Sequence, residues 1–375
     1  SNNTSVEFGF SGTALLNTDY STNLSSVKVN KIIIDGLLFS PFTSAVDSSG
    51  NIYLGFWMNN DAGVMKWVPG ATEGTVVAGG NGRGSALNQI SNPNGLIVDS
   101  SGNIYVSDSQ NHRVTKWAPG ATEGVLVAGG NGAGYQTNQF DGPGLLSLDD
   151  LGNMYIVDDN NERVMKWAPG ATEGTVVAGG NGRGSANNQF DGIFGIALDT
   201  SNNIYVSDWN NHRIMKWEPN ASQGTVVAGG NGGGYSNDQL KNPTGIDIDL
   251  SGNIYVSEWS NNRITKWALG ETEGVVVAGG NGAGSDNNQL DRPANVVLDS
   301  FGSLYVSDYN NRRVVKVINT NQLNIPAGST TATATITGLA DELFNEVDET
   351  IIVTPSNPVN ATLDSSNSTT LTITN

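Results

Sequence analysis

The chain has 375 residues, of which 36 are acidic and 18 are basic, giving a formal net charge of −18, with 48 glycines, two histidines and no cysteine. This composition excludes a disulfide framework and a thiolate zinc site, and its acidity argues against nucleic acid as a partner. No apolar run approaches the about twenty residues of a membrane span, so membrane insertion is not expected, and the first residue, Ser1, indicates a mature or an excised chain.

The first segment, residues 1–24, is rich in Ser and Thr. Apolar and other residues alternate from Val6 through Phe8 to Phe10, which is the period-two pattern of a half-buried strand. We therefore predict a β-strand here that packs in a sandwich. A second short apolar run follows at residues 31–34.

A repeat of 50 residues then dominates the sequence, since Lys-Trp recurs at Trp67, Trp117, Trp167, Trp217 and Trp267, with Val317 next in line. Each unit holds four short apolar runs separated by Ser-Gly-Asn, Asn-Asn or Pro-Gly turns, which predicts four antiparallel strands and hence a propeller blade. A tyrosine on the second strand marks six blades: Tyr53, Tyr105, Tyr155, Tyr205, Tyr255 and Tyr305.

The sixth repeat stops resembling the others after Val317. Residues 31–34 precede blade one at the place where a Thr-Val-Val-Ala strand precedes the other blades, so we predict that they complete blade six. This closure leaves no open sheet edge between the first and last blades. It also places the two ends of the propeller side by side, as an inserted domain requires.

The sequence Gly-Asn-Ile-Tyr-Val-Ser-Asp followed by Asn-His-Arg-Val, at 102–114 and nearly identically at 202–214, resembles the NHL-repeat family of six-bladed propellers. The resemblance covers about residues 30–318. The acid and the arginine of this motif recur in five blades, which indicates a structural ion pair. Blade one departs from the motif, with Phe56 and Gly63 in these two positions.

The last segment, residues 319–375, is again rich in Thr and Ser. Laid end to end, residues 10–20 and 323–336 resemble one continuous stretch of a Calx-beta domain. The resemblance implies an all-β chain in which a six-bladed propeller, residues 25–318, is inserted into an immunoglobulin-like sandwich made of residues 1–24 and 319–375. Calx-beta domains generally carry two further strands before the one at Val6–Phe10, so we expect an incomplete sandwich.

A candidate calcium site follows from the same resemblance, because Calx-beta domains that bind calcium use the region of Asp341, Glu346, Asp348 and Glu349. Calcium prefers several carboxylate oxygens on a flexible loop. The alternative is that Asp348 and Glu349 only begin a strand. We expect no other cofactor.

A candidate ligand-binding face surrounds the mouth of the propeller channel. The residue after the acid is aromatic in three blades, and blade one offers another aromatic residue nearby, so that rings could stack on sugars while neighbouring amides bind hydroxyl groups. The predicted residues are Trp57, Trp209, Trp259, Tyr309, Asn210 and Asn310. In the alternative interpretation these rings pack against loops or a neighbouring subunit.

An enzyme is the less favoured interpretation. Asp141, Asp191, Asp291 and Asp247 near the channel suggest a metal as in six-bladed lactonase-like hydrolases, but turn capping is the commoner role of Asp. His112 and His212 occupy matching positions in different blades, too far apart for the zinc site of NHL-like amidating lyases. No serine-hydrolase or phosphate-loop motif occurs.

The incomplete sandwich suggests how the protein assembles. About five strands where a closed domain needs about seven leave a groove and an unpaired edge, which a strand from another copy could fill. The candidate donor residues are Val6, Phe8, Phe10, Leu371 and Ile373. Such head-to-tail contacts propagate into a filament, with the propeller displayed outward.

We therefore favour a non-enzymatic extracellular structural subunit, whose partners are copies of itself or neighbouring domains. The alternative is a cell-surface adhesin or a carbohydrate- or peptide-binding module of a larger chain. Low charge density and the Calx-beta resemblance both suit a secreted or surface protein. Candidate N-glycosylation acceptors are Asn2, Asn3, Asn23, Asn220, Asn360 and Asn367.

Overall fold

The computed structural model describes residues 4–12, 28–319, 322–325, 349–359 and 369–373, and the side chains of residues 31–317. These residues are almost entirely β-strand and turn. The chain divides into two compact units, one of residues 30–299 and 304–316 and the other of residues 1–29, 300–303 and 317–375. The described residues include no helix with the length and apolar character of a membrane span.

The strands of the first half are β1 (Thr4–Gly12), β2 (Lys28–Ile34), β3 (Ser44–Val46), β4 (Ile52–Met58), β5 (Asp61–Trp67), β6 (Thr75–Gly79), β7 (Pro93–Val98), β8 (Ile104–Asp108), β9 (Arg113–Trp117), β10 (Val125–Gly129), β11 (Pro143–Leu148), β12 (Met154–Asp158), β13 (Arg163–Trp167) and β14 (Thr175–Gly179). Short 3-10 turns occupy Ser109–Asn111 and Asp159–Asn161.

The strands of the second half are β15 (Ile193–Leu198), β16 (Ile204–Asp208), β17 (Arg213–Trp217), β18 (Thr225–Gly229), β19 (Pro243–Ile248), β20 (Ile254–Glu258), β21 (Arg263–Trp267), β22 (Val275–Gly279), β23 (Pro293–Leu298), β24 (Leu304–Asp308), β25 (Arg313–Asn319), β26 (Gln322–Ile325), β27 (Glu349–Val359) and β28 (Thr369–Ile373).

Six of the sheets are propeller blades, so the predicted six-bladed all-β propeller is confirmed. Blades one to five each use four consecutive antiparallel strands, from β3 to β22 in chain order. The sixth sheet has the order β2-β25-β24-β23, so a strand from before blade one is the outermost strand of the last blade. The segment that leads into blade one therefore belongs to the sheet of blade six, as predicted for residues 31–34.

The propeller core lies between neighbouring blades. In blades one to five the Trp that ends the third strand is buried there. In blades three and four its ring packs against the Phe that precedes the first strand of the same blade, as in Phe190–Trp217 with ring centroids 5.8 Å apart. One core cluster joins Val157 of blade three to Val206 of blade four. The recurring Lys-Trp of the sequence is therefore a packing signal.

An aspartate turn repeats at the hairpin between the first and second strands. Asp199 Oδ1 accepts hydrogen bonds from the backbone N–H groups of Ser201 and Asn203, and its Oδ2 accepts from Asn203 Nδ2 (2.7 Å) and the hydroxyl of Tyr205 (3.1 Å). Burial raises the pKa of Asp199, but these hydrogen bonds outweigh it and hold the pKa below its usual value. The Asp, the turn that follows it (Ser-Asn-Asn here and Ser-Gly-Asn after Asp99 and Asp249) and the marker Tyr are thus one structural unit.

The buried ion pair predicted from the repeat is confirmed, and it has a further role. Arg213 Nε donates to Asp208 Oδ2 (2.7 Å), while its other nitrogens donate to the backbone oxygens of Ser185, Ala186 and Gln189. These three residues belong to the loop that arrives from the preceding blade. The arginine therefore anchors each interblade loop, and the same arrangement recurs at Arg113, Arg163, Arg263 and Arg313.

Blade one lacks this pair because no interblade loop precedes it. The chain enters it from β2, and Phe56 packs against Phe39 of the incoming segment with ring centroids 6.0 Å apart. A side chain at Gly63 would clash with the backbone oxygen of Ala78. The departure of blade one from the motif is thus a consequence of how the ring closes.

The remaining described strands form one antiparallel sheet with the order β26-β1-β27-β28. β1, from the beginning of the chain, pairs with β26 from Thr4↔Ile325 to Glu7↔Gln322 and with β27 along its other side. Strands from both ends of the chain therefore share a sheet. The sandwich and its Calx-beta resemblance stay predictions.

Candidate functional site

The site face of the propeller is built from the turns between the second and third strands and the loops that lead into each first strand. The buried acid at the end of the second strand holds these two elements together. Asp208 Oδ1, for example, accepts the backbone N–H of Asp191 (2.8 Å), and Asp308 Oδ1 accepts that of Asp291 (2.7 Å). The residue after each acid is thereby fixed beside the start of an inner strand.

Five aromatic rings on this face form a closed set, which we call the mouth cluster: Phe42, Phe194, Trp209, Trp259 and Tyr309. Successive ring centroids are 4.9 Å apart for Phe194–Trp209, 6.1 Å for Trp209–Trp259 and 5.1 Å for Trp259–Tyr309. Phe42 closes the set, at 6.2 Å from Tyr309 and 6.3 Å from Phe194. All five side chains are half-buried.

The mouth cluster covers one side of the channel mouth. Its residues come from blades four, five and six and from the segment leading into blade one, whereas the matching turn residues of blades two and three are Ser109 and Asp159. In a ring of six blades, blades one and four are opposite, so Phe42 and Phe194 meet across the channel. The face is therefore aromatic on one side and polar on the other.

The structure brings together three of the four aromatic residues predicted for this face, Trp209, Trp259 and Tyr309. It adds Phe42 and Phe194, which the sequence analysis missed. Trp57 is placed elsewhere: its side chain is 55% exposed and the guanidinium carbon of Arg83 lies 5.3 Å from its ring centroid. Among the described residues it makes no ring contact with the mouth cluster.

The two predicted amides already hold structural contacts. Asn210 Nδ2 donates to Asp191 Oδ1 (2.9 Å) and Asn310 Nδ2 donates to Asp291 Oδ1 (3.0 Å), as Asn160 does to Asp141. Both side chains are exposed, and an amide has a second N–H and an acceptor oxygen. Each asparagine can therefore bind a ligand without releasing its aspartate.

The two histidines have a structural role that residues of other types perform at the equivalent position of other blades. The backbone N–H of Gly142 donates to His112 Nδ1 (3.3 Å), and that of Asn242 donates to His212 Nδ1 (3.2 Å). In the other blades Glu162 accepts the equivalent hydrogen bond from the backbone N–H of Gly192 (2.8 Å), and Asn262 accepts it from that of Arg292 (2.9 Å). Burial and the charge of Lys241 lower the pKa of His212, which favours the neutral ring that this bond needs.

Two aspartates on or near the channel have raised pKa values. Burial, followed by the charge of Glu162, raises the pKa of Asp159 to about 6, and Glu162 itself is paired with Arg183 at 2.7 Å. Burial also raises the pKa of Asp247 to about 6. Asp247 accepts the backbone N–H of Leu298 (2.7 Å), so it connects the inner strands of blades five and six.

No three His, Asp or Glu side chains in the described part of the chain are grouped so that they could hold a metal ion. Of the candidate calcium ligands, Asp341, Glu346 and Asp348 lie outside the described residues, and Glu349 is the first residue of β27. The calcium site stays a prediction.

The predicted assembly residues lie in the sheet formed by the chain ends. Val6, Phe8 and Phe10 belong to β1, which is paired on both sides, and Leu371 and Ile373 belong to β28 at one edge. Among the candidate glycosylation acceptors, Asn220 is exposed in a turn with φ 64°. The others, Asn2, Asn3, Asn23, Asn360 and Asn367, lie outside the described residues.

Comparison with known proteins supports the class of this fold. The family profile of the NHL repeat matches residues 91–117 and 191–217, in blades two and four. The protein is thus a six-bladed β-propeller, and two of its blades match the NHL repeat. A search of curated proteins found no match to the sequence.

Several solved structures share the fold at low sequence identity. A structural-genomics protein of unknown function from Bacteroides thetaiotaomicron is 15% identical, with a TM-score of 0.58 over 83% of this chain and 76% of its own. A gluconolactonase from Xanthomonas campestris is 12% identical, with a TM-score of 0.56 over 82% of this chain and 97% of its own. An auxiliary nutrient binding protein from B. thetaiotaomicron is 14% identical, with a TM-score of 0.56 over 85% and 77%.

Proposed function

We propose that the protein is a non-enzymatic binding module that takes a saccharide on the mouth face of its propeller. The observation that carries this proposal is the mouth cluster, a closed set of five half-buried aromatic rings on one side of the channel mouth. Half-buried rings fixed by their neighbours offer preorganised faces on which sugar rings stack, with amide groups alongside for the hydroxyls.

The asymmetry of the cluster supports a binding role over a structural one. Residues with structural roles recur in this propeller, as the buried ion pair does in five blades. The position of Trp209, Trp259 and Tyr309 instead changes to Ser109 and Asp159 in two blades. A repeat protein that keeps its packing residues but varies one face has that face available for a ligand.

A glycan-array screen of the full chain tests this function. We expect binding that is lost in Trp259→Ala, because Trp259 contacts two other rings of the mouth cluster. Trp57→Ala is the matched control, since Trp57 is an exposed tryptophan on the propeller outside the cluster. An array without hits, or a loss of binding in Trp57→Ala equal to that in Trp259→Ala, would contradict the proposal.

A second candidate function is the extracellular structural subunit predicted from the sequence. Its support is the sheet β26-β1-β27-β28, whose edge strands each pair on one side only within the described residues. An edge strand presents unpaired backbone groups that another copy could bind. Of the two predicted donor segments, β1 is paired on both sides and β28 on one, so within the described residues β28 is the donor segment with a side available for exchange.

Electron microscopy and size-exclusion chromatography of the full chain test this second candidate. Filaments that disappear when residues 369–375 are deleted, while the propeller stays folded, would support strand exchange through β28. A monomer at all accessible concentrations would contradict it. For both functions we propose that the protein is secreted or lies on the cell surface, and fractionation of the producing cells tests that location.

A further inference from the structure

One residue, Asn242, connects both tryptophans of the mouth cluster to a histidine. Asn242 directly precedes β19, and its backbone N–H donates to His212 Nδ1 (3.2 Å). Its backbone oxygen accepts the N–H of Trp259 (3.2 Å), and its side-chain Nδ2 donates to the backbone oxygen of Trp209 (3.5 Å). We propose that His212 positions Trp209 and Trp259 through Asn242, so that protonation of His212 weakens saccharide binding at acidic pH. This inference rests on the proposed saccharide site.

Asn242 is bound through each of its four polar atoms. Besides the three contacts above, its Oδ1 atom accepts the hydroxyl of Ser260 (2.7 Å), which follows Trp259 in the same turn. The backbone of Asn242 has φ 52°, in the left-handed region that asparagine adopts more readily than most residues. A shift of Asn242 is therefore passed to the turn of Trp209 in blade four and to the turn of Trp259 in blade five.

The hydrogen bond between Asn242 and His212 requires a neutral imidazole ring. Nδ1 accepts a hydrogen bond only when it carries no proton, whereas both ring nitrogens of a protonated histidine are donors. Protonation of His212 therefore sets one N–H group against another at this point. Asn242 then loses one of the four contacts that fix it between the two turns.

The surroundings of His212 favour the neutral ring. Burial lowers the pKa of His212 and the charge of Lys241 lowers it further, while the backbone oxygen of Trp209 acts in the opposite direction. Lys241 belongs to the loop before β19, and its Nζ atom lies 5.4 Å from the ring centroid of Tyr235 in the same loop. The ring of His212 also lies beside Gly233 of this loop, which carries no charge. The ring is therefore protonated only below about pH 6.5, the ordinary pKa of histidine.

His112 occupies the matching position in blade two and offers a comparison within the same chain. Its Nδ1 atom accepts the backbone N–H of Gly142 (3.3 Å) and lies 3.7 Å from a carboxylate oxygen of Asp141, at the position that Lys241 occupies beside His212. In blade three the residue after the buried acid is Asp159 and not a tryptophan. The same hydrogen bond therefore ends here at a polar turn.

Fluorine NMR of the full chain labelled with 5-fluorotryptophan tests the positioning step without a ligand. We expect the resonances of Trp209 and Trp259, assigned with Trp209→Phe and Trp259→Phe, to shift between pH 8 and pH 5 with a common midpoint below pH 6.5. The resonance of the exposed Trp57 should stay constant. In His212→Asn the shifts should disappear, because an asparagine oxygen accepts the N–H at either pH, as Asn262 does in the next blade.

Three further variants separate His212 from other titrating groups. His112→Asn is the matched control and should leave the shifts unchanged. Asp159→Asn removes a carboxyl group of the mouth face whose pKa burial raises to about 6, and it should also leave the midpoint unchanged. Lys241→Gln should move the midpoint to higher pH, because it removes a positive charge that disfavours protonation of the ring. A purely structural role of His212 would not respond to Lys241→Gln in this way.

Repeating the glycan array at pH 8 and at pH 5 tests the effect on binding. The probes are the neutral glycans of the array, which do not titrate themselves. Those that bind the wild type at pH 8 should bind about two- to tenfold more weakly at pH 5, the range expected for the loss of one hydrogen bond. In His212→Asn the same glycans should bind equally at the two pH values.

The possible outcomes separate this inference from the saccharide site itself. Tryptophan resonances that do not shift, or that shift equally in His212→Asn, would overturn the inference whatever the protein binds. Equal binding of glycans by the wild type at both pH values would overturn the effect on binding and keep the saccharide site. An array without hits at either pH would overturn the proposed function, and shifts that depend on His212 would then still support its positioning of the two tryptophans.

Discussion

Phe42 lies in the segment that leads into blade one and Phe194 in the opposite blade, blade four, and their ring centroids lie 6.3 Å apart, edge to face. Phe194 also packs against Trp209 at 4.9 Å and Phe42 against Tyr309 at 6.2 Å. The two phenylalanines therefore connect the ends of an arc of aromatic residues and turn it into a closed set.

Replacing Phe194 with alanine should loosen the mouth cluster. Because Phe194 is half-buried and contacts two rings, we expect the free energy of unfolding to fall by about 2 kcal/mol, and the near-ultraviolet circular dichroism of the clustered tryptophans to weaken. Urea denaturation measures the first effect. Trp57→Ala is the control and should cost less than about 0.5 kcal/mol; equal costs in the two variants would contradict a cooperative cluster.

Replacing Arg163 with alanine should destabilise the propeller by about 3–5 kcal/mol, because it leaves the carboxylate of Asp158 buried and unpaired. The interblade loop also loses its donors to the backbone oxygens of Tyr135, Gln136 and Gln139. Urea denaturation of the full chain measures the change.

The double variant Asp158→Phe/Arg163→Gly separates these two causes, since it copies Phe56 and Gly63 of blade one. It removes the unpaired charge but leaves the loop without its donors, so we expect it to stay at least about 2 kcal/mol less stable than the wild type. Full recovery of stability would show that the arginine serves only the ion pair.

The sequence predicts the propeller well because every blade repeats the same local signals. The turn of Asp199, the anchor Arg213 and the buried Trp217 recur at fixed spacing, so the number of blades can be counted. Trp209 and Trp259 were also predictable, because both stand at one fixed position of the repeat, directly after the buried acid, where the residue type varies from blade to blade.

The contacts that close the site were not predictable in the same way. Phe194 lies within strand β15 and resembles a core residue, and Phe42 belongs to a segment that no other blade repeats. Their contact depends on two blades 150 residues apart being brought together by ring closure. The acceptor role of His212 likewise needs the packing of one blade on the next, which no local pattern contains.

Replacing His212 with asparagine should change how stability depends on pH. The lowered pKa of His212 means that the folded protein favours the neutral ring relative to the unfolded chain. The histidine therefore contributes stability above about pH 6.5 that is lost as the pH falls through the interval below it. Asn262 accepts the equivalent bond in the next blade and does not titrate.

We therefore expect His212→Asn to unfold at nearly the wild-type urea concentration at pH 8 and to be more resistant than the wild type at pH 5. Parallel urea titrations at the two pH values measure this. An identical pH dependence in both proteins would show that the Nδ1 bond does not require a neutral ring.

Two aspartates of the same propeller should respond to pH in opposite directions. Burial raises the pKa of Asp247 to about 6. Between about pH 4 and pH 6 this carboxyl group is therefore ionised in the unfolded chain but mostly protonated in the folded protein, and the free energy of unfolding falls as the pH rises through this interval. Hydrogen bonds instead hold the pKa of Asp199 below its usual value, so its ionised form stabilises the fold. This stability is fully present above the usual pKa and is lost as the pH falls through the lowered pKa.

As the pH rises from 3 to 7, Asp247→Asn should gain stability relative to the wild type, while Asp199→Asn should lose it. Urea titrations at steps of half a pH unit measure both differences in the free energy of unfolding. Each variant replaces one carboxylate by an isosteric amide, so the prediction concerns only how the difference from the wild type changes with pH, whatever stability the substitution costs at a single pH. If the two differences had the same sign, the environment assigned to one of these carboxylates would be wrong, and an absent slope for Asp247→Asn would show that its carboxylate is solvated in the channel.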